Sequence, residues 1–204
     1  PFFFILAALP GGWIGSRLCA GKFGHNSTSP TMHKSIIPIA FPRQEAPEEG
    51  SLILAADIGG TKTDMAFFQV KNGIPHLVEE KRYPSKEWAS LEDIAEDFSQ
   101  GTPMPQRMCV SFAGPIQNGK AQGTNLHWSI DSHEIGKKLG IRSVLLINDL
   151  EANCYGLAAL QATDLQIIYP GKNFMAGNAA VISPGTWLGE GGLYWDGQAY
   201  RPFA

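Results

Sequence analysis

The residues best suited to chemistry are Asp57-Ile58-Gly59-Gly60-Thr61-Lys62-Thr63, a polar, glycine-bearing segment between two apolar runs. Gly59 and Gly60 lack side chains and can take φ > 0, so backbone N–H groups can approach a phosphate closely. Thr61 adds a hydroxyl donor. Asp57, at the end of an apolar run, is placed to hold a magnesium ion through water, because Mg2+ keeps several of its waters. The plainer alternative is a Gly-Gly hairpin with a solvated aspartate. No G-x-x-x-x-G-K-[ST] spacing is present, so this is not a Walker loop, and it is not a Rossmann fingerprint.

A second constellation is Ile147-Asn148-Asp149, at the end of another apolar run. Ligands of α/β sheets gather at such strand ends. Phosphoryl transfer to a hydroxyl needs a carboxylate to accept the proton and orient the oxygen, a role open to Asp149. Asn148 can bond sugar hydroxyls as donor and acceptor. The competing role for Asp149 is as N-cap of the next helix. Gly123-Thr124-Asn125-Leu126-His127-Trp128, after Ser111-Phe112-Ala113-Gly114-Pro115, sets polar groups beside an aromatic. That suits a sugar, although a tryptophan is more often part of a core. Pro184-Gly185-Thr186-Trp187-Leu188-Gly189-Glu190-Gly191-Gly192 again offers backbone donors for phosphate, or a flexible turn.

The elements that must position these residues can be read from periodicity. Leu52 to Ala56 is a fully apolar run, as expected of a strand buried on both faces. Residues 63–70 and 75–83 follow as strands around an Asn72-Gly73 turn. Ser90 and Asp93 form a capping box ahead of a helix over LEDIAEDF. Residues 107–112 read as a strand, Asn118-Gly119 as a hairpin turn, and Asp131 with Glu134 as the start of a helix ending before Gly140. Val144 to Ile147 is a buried strand, 151–161 a helix, and 165–169 and 179–183 further strands. A last turn falls at Trp195-Asp196-Gly197. Hairpin strands first and alternating strands and helices later argue for an α/β mixed sheet with helices on its faces.

The chain has 204 residues, 44% hydrophobic, enough for one sizeable core. A net charge of −3 gives no reason to expect a nucleic acid or an anionic membrane as partner. Cys19, Cys109 and Cys154 show no metal spacing and suit small buried hydrophobes in a reducing cytoplasm. The apolar run Phe2 to Leu9 is far shorter than the about 20 residues of a membrane-spanning helix. Residues 1–50 are expected to be a non-native or poorly ordered extension and a proline-bearing linker, with Met32 as a plausible start. Residues 51–204 form the body. The chain stops after Pro202-Phe203-Ala204 with no helix closing the unit, and reads as truncated.

Taken in order, strand-Asp-Gly-Gly-Thr, Thr-Asn-x-x-Trp, Asn-Asp and a second Gly-Thr loop resemble the bacterial glucokinase family of the actin-like ATPase (ribonuclease H-like) superfamily. The resemblance runs from about Leu52 to Ala204. It implies a small N-terminal domain plus the start of a larger one, and transfer of the ATP γ-phosphate to the 6-hydroxyl of glucose with Mg2+. It assigns Asp149 as catalytic base and Asn148, Asp149, Thr124 and Asn125 to the sugar. It assigns Asp57, Gly59, Gly60, Thr61, Lys62, Thr63, Gly185, Thr186 and Gly189 to the nucleotide phosphates, with Asp57 toward the metal. A kinase for another hexose, or a non-catalytic sugar-binding or repressor-type relative, is the alternative. A cytoplasmic enzyme is implied, and a homodimer is compatible with it. Trp187 departs from the pattern, standing where the family usually has Gly. The family's Glu-Gly-Gly-His sugar motif and nucleoside pocket would follow Ala204, so this chain alone is expected to be inactive.

Overall fold

The structure is a computed structural model that describes residues 36–42, 47–123, 126–160, 162–171, 177–184 and 188–204. The apolar run becomes β1 (Leu52–Ile58), the centre of a five-stranded sheet. β2 (Lys62–Lys71) returns antiparallel beside it, and β3 (Ile74–Pro84) pairs with β2 at the sheet edge. The turn between them places Asn72 at φ 52° and Gly73 at φ 72°, the left-handed pair a tight hairpin requires. After α1 (Leu91–Phe98), β4 (Arg107–Phe112) joins β1 in parallel. The short strands β5 (Ile116–Gln117), β6 (Lys120–Gln122) and β7 (Ser129–Asp131) form a separate small sheet. α2 (Ser132–Leu139) then leads into β8 (Ser143–Asn148), parallel to β4, so the main order is β3-β2-β1-β4-β8. α3 (Asp149–Gly156) follows without a loop. β9 (Ala179–Pro184), β10 (Leu188–Trp195) and β11 (Tyr200–Phe203) make an antiparallel meander.

The expected caps are present. Ser90 accepts the Asp93 N–H at 3.2 Å, and Asp131 accepts those of His133 and Glu134 at 2.9 and 3.3 Å. Gly140 ends α2 at φ 68°. Alternate residues of β1 and β2 feed two cores, one on each sheet face. Leu54, Ala56, Met65 and Phe67 pack under α1 and α2, where Phe67 stacks on Phe98 at 4.7 Å. Ala55, Ala66, Phe68, Cys109 and Ile147 pack under α3 and Leu193 of β10. Each fully buried large side chain contributes about 1.5–3 kcal/mol.

Four expectations change. Residues 165–169 form no strand, and Ile167 and Ile168 are 78% and 95% exposed; an apolar run needs a pairing edge, and this one has none among the described residues. The helix expected over 151–161 begins at Asp149, because Asn148 caps it, and gives way to a 3-10 turn at Leu157–Ala159. Part of the glycine-rich loop is strand β10. Its glycines fit α3 closely: a Cβ on Gly189 would lie 2.7 Å from Leu150, and one on Gly191 2.8 Å from the Cys154 sulfur. Within the proline-bearing linker, Ile39 is buried and bridges Tyr200, with Ala40 N–H to the Tyr200 carbonyl at 2.8 Å. Phe41 stacks on Tyr155 at 5.4 Å. Cys109 and Cys154 are buried and in no disulfide; burial pushes both thiols up, Cys154 to about 11. No helix of the described residues is long and apolar enough to cross a membrane.

Candidate active site

β1, β4 and β8 run parallel, so their carboxyl ends meet on one side of the sheet. The register there sets Asp57 beside Ser111 and Phe112 beside Asn148. Asp57, Gly59, Lys62, Asp64, Ser111, Asp149 and Asn153 are among the residues lining a cavity of about 210 Å3 at this place. Ser111 Oγ donates to Asp57 Oδ1 at 2.8 Å. Burial raises the Asp57 pKa above the ordinary aspartate value; the Ser111 bond opposes this, and the charges of Asp64 and Asp149 add to it.

Asn148 and Asp149 sit where strand becomes helix. Asn148 Oδ1 accepts the N–H of Leu150 at 2.8 Å and of Glu151 at 3.3 Å, making Asn148 the N-cap. Its Nδ2 donates to the Gly114 carbonyl at 3.0 Å, tying the helix start to the segment after β4. Asp149 is therefore the first helical residue rather than the cap. Burial raises its pKa too, against stabilising hydrogen bonds from the Leu150 and Asp149 N–H groups and the Asn148 side chain. A carboxylate made more basic by burial and aimed at a cavity is suited to accept a proton.

The Asp57–Thr63 segment is a tight loop between β1 and β2, with the Gly59 N–H donating to the Lys62 carbonyl at 2.9 Å. Neither Gly59 nor Gly60 takes a positive φ, contrary to the expectation from composition. Gly59 is small for another reason: a Cβ would lie 3.2 Å from the Lys62 carbonyl oxygen. The N–H groups of Gly60 and Thr61 make no hydrogen bond among the described residues and stand at an exposed turn. Thr63 points inward, 3.0 Å from Ser85 Oγ, and Ser85 in turn donates to the Gly59 carbonyl at 3.2 Å, so this hydroxyl braces the loop. Gly189 lies in β10 opposite Ser183 and against Leu150. Trp128 belongs to the core, its Nε1 donating to the Trp88 carbonyl at 3.0 Å. Thr124, Asn125, Gly185, Thr186 and Trp187 lie outside the described residues.

Asp64 and Arg82 were not singled out from the sequence, and Ser111 was named only as the start of the segment ahead of Thr124 and Asn125. Asp64 is opposite Asp57 across β1 and β2, and Arg82 is opposite Asp64 across β2 and β3. Arg82 forks onto Asp64, Nε to Oδ1 and Nη2 to Oδ2, the latter at 3.0 Å. The available signal was a charged residue inside a strand otherwise buried from Thr63 to Phe68.

The glucokinase family model matches residues 54–204. A glucokinase of Nostoc punctiforme is 36% identical over 157 residues, covering 75% of this chain and 46% of its own length. One of Caulobacter sp. is 31% identical over 142 residues, covering 69% and 43%. The chain thus spans about half the length of the curated relatives it matches. The crystal structure of a glucokinase from an Antarctic psychrotroph superposes with a TM-score of 0.61 at 27% identity, covering 76% of this chain and 49% of that one. A Balamuthia mandrillaris glucokinase in complex with glucose shares the fold, with a TM-score of 0.58 at 20% identity and coverage of 75% and 47%. The mixed sheet is that of the actin-like ATPase superfamily, and the chain belongs to the glucokinase family.

Proposed function

We propose that this chain supplies the acceptor-activating and phosphate-binding half of an ATP-dependent glucose 6-kinase. The observation that carries the reading is the convergence of Asp57, Ser111 and Asp149 on one cavity at the carboxyl ends of β1, β4 and β8. In the proposed reaction the sugar 6-hydroxyl attacks the terminal phosphorus of ATP. Its proton passes to the Asp149 carboxylate, the new O–P bond forms, and the bond to the departing ADP oxygen breaks. Asn148 orients the sugar through the Nδ2 hydrogen that the Gly114 carbonyl does not engage, with Thr124 and Asn125 bordering the ring. The Gly60 and Thr61 N–H groups and the Lys62 ammonium face the phosphates, with Gly185, Thr186 and Gly189 as a second phosphate segment.

Asp57 fits a role toward Mg2+: its donors are hard oxygens, and only Oδ1 is engaged by Ser111. No cluster of three or more ligating side chains occurs among the described residues, so Asp57 would act through water and phosphate oxygens. The ion, when bound, would offset phosphate charge. Residues 51–204 are read as a smaller domain with the opening of a larger one, β9 to β11, and residues 1–50 as an extension.

The test is ATP-dependent phosphorylation of glucose and a hexose panel by the longest polypeptide the gene encodes and by the 204-residue chain. Turnover on glucose that is lost in Asp149→Asn supports the reading. An inert parent on every hexose refutes it.

A further inference from the structure

A polar row crosses four strands beside the phosphate loop: Arg82 on β3, Asp64 on β2, Asp57 on β1 and Ser111 on β4, each opposite the next in register. Directly opposed residues share a sheet face, and this face is the one covered by α3. Asp64 is 7% exposed and lines the cavity that holds Asp57 and Asp149. A third carboxylate there is costly, since buried charge is poorly solvated and like charges repel. An apolar side chain would continue the buried pattern of β2 at no such cost. What Asp64 does hold is Arg82, by two hydrogen bonds that fix the guanidinium plane.

The Arg82 side chain is 57% exposed, whereas that of Asp64 is 10% exposed. A guanidinium has five N–H donors; two are engaged by Asp64, and the Arg82 side chain makes no other hydrogen bond among the described residues. Arg82 lies two residues along β3 from Pro84, the ladder partner of Lys62, so it is at the end of the β2–β3 ladder that leads to the phosphate loop. That loop also carries the N–H groups of Gly60 and Thr61, which make no hydrogen bond among the described residues. A planar fork held by a buried carboxylate is the form of cation that suits phosphate.

We infer that Asp64 presents Arg82 as a second cation, beside Lys62, for the phosphate chain of the nucleotide donor. The inference rests on the phosphotransfer reading above and adds to it a residue outside the Asp-Gly-Gly-Thr segment. Arg82 contacts the phosphates, and Asp64 is the positioning residue that aims it.

The experiment compares Arg82→Ala, Arg82→Lys and the double variant Asp64→Asn/Arg82→Ala with the parent, in the longest polypeptide the gene encodes. The double variant avoids leaving Asp64 buried and unpaired, so it remains informative if Arg82→Ala fails to fold. Steady-state kinetics are measured against ATP and against glucose, and inorganic tripolyphosphate binding is measured by calorimetry. The expected result is a KM for ATP raised on the order of tenfold or more, a glucose KM within about twofold of the parent, partial recovery in Arg82→Lys, and weakened tripolyphosphate binding. An unchanged ATP KM in an active double variant overturns the inference and leaves the kinase reading standing. If the parent phosphorylates no hexose, the kinase reading fails by itself, and loss of tripolyphosphate affinity in the double variant still upholds the Arg82 anchor. Unchanged affinity sinks it.

Discussion

Asn148 holds the β8–α3 junction by three hydrogen bonds, so its truncation has a calculable cost. Asn148→Ala removes the two bonds accepted from Leu150 and Glu151, an N-cap worth about 1 kcal/mol. It also removes the donor to the half-buried Gly114 carbonyl, about 1 kcal/mol more. The sum, about 2 kcal/mol, lowers Tm by about 4–8 °C at the about 2–4 °C per kcal/mol of a domain this size. Asn148→Ser keeps a capping oxygen and loses only the Gly114 bond, so it falls near half that cost. Urea denaturation of the 204-residue chain, followed by tryptophan fluorescence and circular dichroism, measures both. If Asn148→Ala lies within about 0.5 kcal/mol of the parent, the range of an ordinary surface change, the side chain is not holding the junction. Equal losses in the two variants would refute the division between cap and tether.

Further outcomes follow from the same geometry. Asp149→Asn leaves the Asn148 cap in place, so Tm is held while kcat for glucose phosphorylation falls by about 10²–10⁴-fold; a matching fall in Tm would reduce Asp149 to a structural residue. Gly191→Ala drives a Cβ to 2.8 Å from the Cys154 sulfur and destabilises the chain by about 1–3 kcal/mol in chemical denaturation, with partial rescue by Cys154→Ala. Asp93 has its pKa lowered first by the Ser90 hydroxyl and then by Lys138. Its stabilisation is therefore present above about pH 4, the unfolded value, and is lost as pH falls through the lower folded value. Thermal melts between pH 6 and pH 3 are expected to show a shallower decline in Asp93→Asn than in the parent.

The sequence by itself determined the elements whose signals are local. The apolar run at Leu52 to Ala56, the Asn72-Gly73 turn, the caps at Ser90 and Asp131 and the Gly140 stop each act within a few residues, and each appears where its chemistry requires. The order of Asp-Gly-Gly-Thr and Asn-Asp also pointed to the family before any coordinates. Tertiary structure decided everything that depends on partners distant in the chain. Residues 165–169 are apolar enough for a strand but have no pairing edge among the described residues, and Gly189 and Gly191 look like a loop until α3 is laid against them. Asn148 carries a strong local capping signal, yet its tether to Gly114 exists only because β4 and β8 are neighbours. Ser111 and Asp64 reach the cavity, and Arg82 reaches Asp64, only through register across four strands, where residues up to 54 positions apart in sequence come within hydrogen-bonding distance. Periodicity states which face a side chain takes; only sheet order states what it meets there, because that contact depends on the whole chain closing around β1.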